Sequence, residues 1–474
     1  MPGLGSRMAA LRFRRPDKRS ALIIAVALIL VISLATTAAL AGPGLLRWFG
    51  LAGESTAEPP PPPRLQLAPL ATDAPIPTKA GVAAALNRLA GSSALGTLTG
   101  VVMNPADDQE LWSRNPEKAM QPGSTGKLLT TAAALIALDP SMRIKTRVVA
   151  GTSPDSVVLV GGGDPTLSSL PKGSESVYPG AARLDSLAEE VRNTHPGPIH
   201  TVTVDVSRFT GDDMAPGWET SDIAGGNVTP IEPLILDGGR SKPDELDPPR
   251  TAKPALDAGQ ALAQRLGADP STVAVGTAPP RAPVLAEVSS PPVSDLVETA
   301  LRISDNVLAE SLARQVALAR GADPSFAGAA AAVRDTLAAA GFDMSGASMV
   351  DGSGLSTDDQ VPARALGEIM AVAGGPAEND GRAARLRPML SGLPVAGGDG
   401  TLNDRFTGGE SAAGRGFVRA KTGTLTGVSA LAGVVTDADG RLLTFSLMAN
   451  GTSPAESRPQ LDALAAALRE CGCR

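Results

Sequence analysis

The sequence predicts an α+β fold in which the two ends of the chain form one antiparallel sheet and helices pack against it. Strand-like apolar patterns cover residues 97–103 and 111–112 near the start of the globular part. Similar patterns cover residues 427–436 and 442–448 near the end. Segments with helical periodicity lie between these two pairs. Strands at both ends with helices between them are typical of a single sheet that carries helices on its faces.

Turn residues and flanking helices support each of these strands. Residues 104–109, Asn-Pro-Ala-Asp-Asp-Gln, separate the first two strands, and residues 437–440, Asp-Ala-Asp-Gly, separate the last two. Both segments are typical of hairpin connections. A helical apolar pattern begins at Val82, before the first strand, and a final helix is expected over about residues 455–469.

The middle of the chain predicts an insertion. With 474 residues the chain exceeds the usual size of one hydrophobic core, so two or three domains are expected. Residues 148–286 are rich in Val/Thr strand patterns, Pro and Gly, and predict a mostly β region of one or two small accessory domains. Residues 79–147 and 287–474 would then form the main domain.

The N-terminus is typical of an exported protein. Five basic residues between positions 12 and 19 precede an uncharged run over residues 20–46, which is long enough to span a bilayer. Residues 1–46 therefore predict a cytoplasmic basic stub with either a cleaved signal peptide or a membrane anchor. Residues 47–78 include five consecutive prolines and predict an extended linker. The rest of the chain is expected in the cell envelope, outside the cytoplasm.

Composition argues against several function classes. The net charge is −7 and no basic stripe follows the first 20 residues, so nucleic acid is not an expected partner. His195 and His200 lie in one turn-like stretch, which argues against a Ser-His-Asp hydrolase. Cys471 and Cys473 are the only cysteines, too few for a usual zinc site, so neither a metal nor a cofactor is expected.

The first candidate catalytic element is Ser124-Thr-Gly-Lys127. It follows Gln-Pro-Gly and opens a segment with a helical apolar pattern, so Ser124 lies at the start of a helix. Three residues later, Lys127 falls on the same helix face, where its amine could take the proton of the Ser124 hydroxyl. Lys127 must be neutral to do so, which burial and a second nearby cation would favour.

The second element is Ser304-Asp-Asn306, at a turn into another helix. Ser304 could relay a proton to a leaving amine, and the Asn306 amide could hold a substrate peptide group through one donor and one acceptor. An ordinary helix N-cap is the alternative interpretation of these residues.

The third element is Lys421-Thr422-Gly423-Thr424, expected on a strand at the sheet edge. Lys421 and Thr422 could hold a terminal carboxylate by charge and hydroxyl group. Gly423 has no side chain, so a substrate backbone could lie against the strand there. An exposed strand end without function is the alternative interpretation.

Together and in this order, the three elements resemble the signature of the penicillin-binding and serine β-lactamase superfamily, Ser-x-x-Lys, Ser-x-Asn and Lys-Thr-Gly. Within it the chain resembles the low-molecular-mass class C penicillin-binding proteins, the D-Ala-D-Ala carboxypeptidases and endopeptidases of peptidase family S13. The glycine-rich segments 161–167 and 350–356 resemble segments of that family and are interpreted as structural turns. This family carries extra domains between Lys127 and Ser304, which accounts for the insertion.

The resemblance implies a transpeptidase-type catalytic domain and a mechanism. Ser124 would attack the carbonyl group of D-Ala-D-Ala, Lys127 would be the base, and Ser304 would pass a proton to the departing D-Ala. The backbone N–H groups of Ser124 and Thr424 would form the oxyanion hole. β-Lactams mimic this substrate and would acylate Ser124.

Three alternatives differ from this hydrolase hypothesis in class or in acceptor. A β-lactamase would need an activated deacylating water, and no matching Glu-containing loop is evident in the sequence. A catalytically silent envelope protein would be expected to have lost a motif, and all three are intact. A transpeptidase differs only in the acceptor, and the sequence leaves that choice open, as it does the balance between carboxypeptidase and endopeptidase.

Overall fold

The computed structural model describes residues 74–378 and 380–472. The predicted signal or anchor and nearly all of the proline-rich linker lie outside these residues. Among the helices of the described part, none combines the length and the apolar character that crossing a membrane requires.

The described residues form α-helices and strands that are joined by loops. In chain order the helices are α1 (Lys79–Ala90), α2 (Lys127–Ala137), α3 (Leu184–Thr194), α4 (Ser221–Ala224), α5 (Pro254–Leu266), α6 (Val293–Arg302), α7 (Asn306–Ala319), α8 (Phe326–Ala339), α9 (Ala363–Gly374), α10 (Gly381–Gly392) and α11 (Pro454–Glu470). The strands are β1 (Thr97–Asn104), β2 (Gln109–Arg114), β3 (Ala119–Met120), β4 (Arg143–Ala150), β5 (Ser156–Val160), β6 (Thr201–Asp205), β7 (Ala274–Gly276), β8 (Val284–Pro292), β9 (Val361–Pro362), β10 (Val418–Leu425), β11 (Val428–Thr436) and β12 (Leu442–Asn450).

The main sheet has the strand order β10-β11-β12-β1-β2, and every neighbouring pair is antiparallel. Strand β12 from the end of the chain pairs with β1 from the start, with Thr97 opposite Asn450. The hairpin between β11 and β12 is held by the Asp437 carboxylate, which accepts hydrogen bonds from the backbone N–H groups of Asp439 and Arg441. The prediction of one antiparallel sheet built from both chain ends is confirmed.

Helices cover both faces of this sheet. Along β11 the alternation of side chains sends Leu431 and Val435 to one face, where they pack with α1 and α11. Ala430, Ala432 and Val434 face the other side and pack with a helical layer that includes α2 and α9. Each fully buried aliphatic side chain of Val or Leu size contributes about 1.5–3 kcal/mol, so both layers fix the sheet firmly.

Residues 148–286, which the sequence predicts to be an insertion and which are called the inserted region below, contribute most of a second sheet with the order β7-β6-β5-β4-β8. The sheet is slightly larger than the predicted boundaries, since β4 begins at Arg143 and β8 ends at Pro292. The sequence predicts a mostly β region, and the five strands are present, but α3 and α5 pack on them as well. The reason is that β5, β6 and β7 run parallel, and parallel strands need crossover connections, which these helices provide.

Candidate active site

Ser124 lies in a tight turn, Gly123–Gly126, directly before α2. Gly123 has a φ of 52°, a left-handed conformation that glycine adopts without strain. Lys127 is the first residue of α2, and its Nζ lies 2.9 Å from Ser124 Oγ. The structure therefore brings the predicted nucleophile and base within hydrogen-bond distance.

Lys127 is fully buried and has three oxygen partners. Besides Ser124 Oγ, its Nζ lies 2.5 Å from Asn306 Oδ1 and 2.8 Å from the carbonyl oxygen of Ser353. Burial lowers the pKa of Lys127 to about 8, although nearby carboxylates, Asp351 first among them, raise it in part. A substantial fraction of the amine is therefore neutral near physiological pH and able to accept a proton.

Ser304 lies in the short connection between α6 and α7. Its φ of 58° places it in the left-handed region, which is strained for a residue with a side chain. Ser304 Oγ accepts a hydrogen bond from Lys421 Nζ at 2.7 Å. The N-cap of α7 is the next residue, Asp305, which accepts from the backbone N–H of Leu308 at 2.8 Å. The capping alternative therefore applies to Asp305 and leaves the Ser304 hydroxyl at the site.

The Asn306 side chain contacts both Lys127 and the inserted region. Its Oδ1 accepts from Lys127, and its Nδ2 donates to the backbone oxygen of Asn227 in the inserted region at 3.0 Å. The amide acceptor is thus engaged by Lys127, in contrast to the predicted pairing of both amide groups with substrate. An amide nitrogen carries two hydrogens, so one donor of Asn306 remains for a ligand.

The third predicted element lies on β10, where successive side chains point to opposite faces of the sheet. Thr422 and Thr424 line the cleft beside Ser124, whereas Lys421 and Gly423 face away from it. Lys421 is fully buried, and its Nζ donates to Ser304 Oγ and to the backbone oxygen of Thr422. Both of these oxygens belong to the protein, and contact between Lys421 and a substrate carboxylate stays a prediction.

Lys421 and Lys127 are two buried amines in the same site. Burial first, and then the charge of Lys127, lower the pKa of Lys421 well below its ordinary value. Two buried amines that repel each other disfavour double protonation. The two amines are therefore not protonated together, and Lys421 Nζ donates a hydrogen bond to the Ser304 hydroxyl.

Gly423 is required for a different reason from the predicted one. A Cβ at this position would lie 2.3 Å from the carbonyl oxygen of Pro122 and 3.1 Å from Ala430 Cβ. The missing side chain therefore lets β10 approach the turn that carries Ser124, and it does not make room for a ligand.

These elements enclose a cleft of about 580 Å³. Five of the eight predicted site residues line it, and Lys127, Lys421 and Gly423 lie behind its wall. The inserted region, the segment 401–411 and α11 complete the lining, with residues that include Asn227, Arg240, Asp247, Arg250, Thr401, Asp404, Arg405, Arg458 and Asp462.

The glycine-rich segment 350–356 forms the support behind Lys127. The Asp351 carboxylate accepts hydrogen bonds from the backbone N–H groups of Ser353, Gly354 and Ser356, and from the indole N–H of Trp218. These bonds hold the carbonyl oxygen of Ser353 toward Lys127. The geometry agrees with the interpretation of this segment as a structural turn.

Sequence reasoning missed the group of buried side chains that holds Asp305. Tyr178, the only tyrosine of the chain, and Arg240 both come from the inserted region and both donate to Asp305 Oδ2. They lie 127 and 65 positions away in the sequence, and no local pattern marks them.

Comparisons with known proteins agree with the motifs. The D-Ala-D-Ala carboxypeptidase 3 (S13) family matches residues 82–249 and 248–471. Carboxypeptidase DacB of Mycolicibacterium smegmatis is 45% identical over 410 residues, which are 85% of this chain and 87% of that protein. The D-alanyl-D-alanine carboxypeptidase of an Actinomadura species is 28% identical over 465 residues, covering 79% of this chain and 82% of that protein.

A solved structure shows the same fold. Penicillin binding protein 4 of Haemophilus influenzae superimposes with a TM-score of 0.63 and 22% identity, covering 77% of this chain and 95% of that chain. The fold and the family predicted from the three motifs are confirmed. The chain belongs to the D-Ala-D-Ala carboxypeptidase 3 (S13) family by its sequence, and its fold agrees with this assignment.

Proposed function

We propose that the chain is a serine-type D-Ala-D-Ala carboxypeptidase that removes the terminal D-Ala from peptidoglycan stem peptides through an acyl-enzyme on Ser124. The observation that carries the proposal is the 2.9 Å contact between Ser124 Oγ and the buried amine of Lys127, in a cleft that Thr422 and Thr424 also line. The names of the relatives, which are carboxypeptidases, support the same activity.

Acylation begins with proton transfer from Ser124 to the neutral amine of Lys127. Ser124 Oγ attacks the carbonyl carbon of the penultimate D-Ala, and negative charge develops on the carbonyl oxygen. The backbone N–H groups of Ser124 and Thr424 stabilise that oxyanion, since fixed donors act most strongly where charge appears in the transition state. A Cβ on Gly123 would lie 2.8 Å from Thr424 N, which places the two backbones side by side.

Collapse of the tetrahedral intermediate breaks the peptide bond. Ser304 donates its hydroxyl proton to the departing amine of D-Ala, and the proton that Lys127 took from Ser124 returns to Ser304 by way of the Lys421 amine, 2.7 Å from Ser304 Oγ. Asn306 uses its free amide donor to hold the acyl part of the peptide. A water molecule then attacks the ester carbonyl and gives a proton to the neutral amine of Lys127, 2.9 Å from Ser124 Oγ. The bond between the acyl group and Ser124 Oγ breaks, Ser124 Oγ takes that proton, and the shortened peptide leaves.

The terminal carboxylate of the substrate is assigned to the hydroxyl groups of β10. Thr422 Oγ1 lies 2.8 Å from Thr401 Oγ1, and both residues line the cleft together with Thr424. Lys421 supports this strand from behind, where its Nζ donates to the backbone oxygen of Thr422.

The remaining assignments follow the domain organisation predicted from the sequence. We place catalysis in residues 79–147 and 287–474, with residues 148–286 as an accessory region. Residues 1–46 would direct the protein to the cell envelope, where peptidoglycan lies, and would keep it at the membrane if they are retained. β-Lactams are expected to inhibit it covalently, and penicillin binding protein 4 of Haemophilus influenzae has been solved in complex with one.

The decisive experiment combines acylation with product analysis. The full chain is incubated with benzylpenicillin and digested for mass spectrometry, with Ser124→Ala as the control, and D-Ala release is measured from a peptide ending in D-Ala-D-Ala. We expect one adduct on Ser124, none in the variant, and stoichiometric D-Ala from the peptide. Cleavage of a cross-linked dimer in the same assay reports endopeptidase activity.

Other outcomes would assign the protein to another class. A folded wild-type chain that forms no adduct and releases no D-Ala would be a silent binding protein. Rapid turnover of penicillin without D-Ala release would indicate a β-lactamase. Among the described residues that line the cleft there is no glutamate to activate a deacylating water, which disfavours that class.

A further inference from the structure

Glu310 is a buried carboxyl group that the proposed mechanism does not use. It lies on α7, one helical turn after Asn306, and only 1% of it is exposed. Residues four positions apart share a helix face, so Glu310 lies on the side of α7 from which Asn306 Oδ1 contacts Lys127. An ionisable group in this position can act on the catalytic lysine.

The Glu310 carboxyl group holds the backbone segment that contacts Lys127. Both of its oxygens accept from the backbone N–H of Gly352 at 2.9 Å. The carbonyl oxygen of Gly352 accepts from Thr130 Oγ1 on α2 at 2.6 Å. The next carbonyl oxygen, that of Ser353, lies 2.8 Å from Lys127 Nζ. Glu310 and the Lys127 amine are therefore joined through two consecutive residues of one buried turn.

Burial perturbs Glu310, and the neighbouring cation on α7 does not offset this effect. Arg314, four residues further along the helix, donates to the carbonyl oxygens of Thr210 and Pro324. Burial first, and then the Asp351 carboxylate, raise the pKa of Glu310 to about 8, although hydrogen bonds and the charge of Arg314 lower it in part. The carboxyl group therefore gains its charge well above the ordinary range of a glutamate.

Other charged groups also face Glu310 and Lys127. Besides Arg314 they are Asp305 before α7, Asp351 and Asp359 of the turn, and Lys421 on β10. Asp305 stays ionised because its pKa lies well below the ordinary value, and Asp359 holds its proton up to about pH 10. Glu310 instead changes charge near pH 8, the range in which Lys127 also loses its proton.

We propose that Glu310 is a positioning residue for the general base, because it holds the Ser353 carbonyl oxygen against Lys127 and its charge sets the protonated fraction of the Lys127 amine. This inference rests on the proposed function and deepens it. While Glu310 holds a proton it is uncharged, and Lys127 can be neutral. Once Glu310 ionises, its negative charge favours protonated Lys127, so the two groups titrate as a coupled pair.

The test compares the pH dependence of acylation by benzylpenicillin. Stopped-flow rates between pH 6 and 9.5 are measured for the wild-type chain, Glu310→Gln, Glu310→Met and the control Glu232→Gln. Glu232 also accepts from a backbone N–H, that of Ala255 at 2.9 Å, and burial raises its pKa as well. It lies in the inserted region and does not line the cleft. Thermal melting confirms that each variant is folded.

We expect Glu310→Gln to lower the pH of half-maximal acylation by about 0.5 to 1 pH unit, because the negative charge that favours protonated Lys127 is lost. The maximal rate should stay close to that of the wild type, since the amide oxygen can still accept from Gly352. Glu310→Met should lower the midpoint by as much and also reduce the maximal rate, because the hydrogen bond is lost. Glu232→Gln should match the wild type.

An unchanged midpoint in both Glu310 variants would overturn the inference, because a purely structural role changes the rate alike at every pH. If the wild type is not acylated at any pH, the proposed function fails. NMR titration of isotope-labelled lysine, with Lys127→Arg to assign the signal, then tests Glu310 alone. A lower Lys127 pKa in Glu310→Gln than in the wild type would support the inference, and equal values would overturn it.

Discussion

Arg240 in the inserted region donates to Asp305 Oδ2 at 2.7 Å, and their side chains are only 2% and 0% exposed. Burial by itself would raise the pKa of Asp305, but the charges of Arg240 and Arg250 outweigh burial and hold that pKa well below its ordinary value. Asp305 lies between Ser304 and Asn306, so the inserted region fixes the turn that carries both. Arg240, from residues 148–286, therefore supports the turn that carries two of the proposed catalytic residues.

We predict that Arg240→Met lowers the free energy of unfolding by about 3–5 kcal/mol at pH 7, because it leaves the Asp305 carboxylate buried with a weaker partner. The nearest N···O distance from Arg250 to Asp305 is 3.6 Å, too long to replace the lost hydrogen bond. Penicillin acylation should also slow, since the strained turn at Ser304 loses its support. Urea unfolding and acylation rates measure both effects.

The control for this prediction is Arg88→Met. It removes an ion pair of similar length, with Arg88 2.6 Å from Glu410, but these side chains are 74% and 59% exposed. Exposed pairs contribute little to stability, so urea unfolding should be nearly unchanged. Equal effects of the two substitutions would contradict the role assigned to Arg240.

The motifs could be found in the sequence because each lies at the edge of a locally encoded element. Ser124 precedes a helix with a clear apolar pattern, and Lys421 lies in a strand that is followed by two others with strand-like apolar patterns. The pairing of the chain ends also followed from local patterns, since hairpin turns mark both pairs of strands.

The parts that could not be predicted depend on contacts distant in the sequence. Whether Lys421 and Gly423 face the cleft or the helices is decided by how β10 packs against the Ser124 turn, and a strand pattern does not reveal that. The partners of Asp305 belong to the inserted region, and a buried ion pair produces no periodic pattern in the sequence. The helices α3 and α5 were missed among many Val, Thr, Pro and Gly residues, although Leu184, Leu187 and Val191 follow a helical spacing.

The acylation rate should rise with pH, reach half its maximum near pH 8 and level off about one pH unit above that. Lys127 acts as a base only when neutral, and its pKa is about 8, so the neutral fraction grows as pH increases through that value. Lys127→Arg should be nearly inactive at every pH, because a guanidinium does not lose its proton. Stopped-flow acylation between pH 6 and 9.5 measures this dependence. A wild-type rate that is constant over this range would exclude Lys127 as the titrating base.

Asp359→Asn should stabilise the protein by roughly 1–4 kcal/mol at pH 7. Burial and the neighbouring Asp351 carboxylate raise the pKa of Asp359 to about 10, so the folded chain holds a proton there that the unfolded chain releases. A pKa raised on folding lowers stability progressively as pH rises from about 4 to about 10, and asparagine removes that dependence. The amide can keep the hydrogen bond from the Val350 N–H, which Asp359 Oδ1 accepts at 2.8 Å.

The matched comparison is Asp351→Asn, which should destabilise the protein. The Asp351 carboxylate accepts from Trp218 Nε1 at 2.9 Å and from several backbone N–H groups, and these bonds are shared between its two oxygens. Asparagine replaces one of the oxygens with an amide nitrogen, which cannot accept a hydrogen bond, so the donors on that side lose their partner. Thermal melting of both variants at pH 5 and pH 8 gives the sign of each effect. If Asp359→Asn lowers the melting temperature at pH 8, the assignment of a buried proton to Asp359 is wrong.

Gly423→Ala should abolish or strongly slow penicillin acylation while the protein stays folded. The added methyl group would lie 2.3 Å from the carbonyl oxygen of Pro122 and 3.2 Å from the backbone nitrogen of Thr125, so β10 and the Ser124 turn must move apart. Because a misplacement of about 1 Å can cost roughly 100-fold in rate, the oxyanion donors on the two backbones would no longer act together. Gly381→Ala is the control, since a Cβ there meets nothing within 4 Å. Acylation by Gly423→Ala at the wild-type rate would mean that the close approach of β10 to the Ser124 turn is not needed for catalysis.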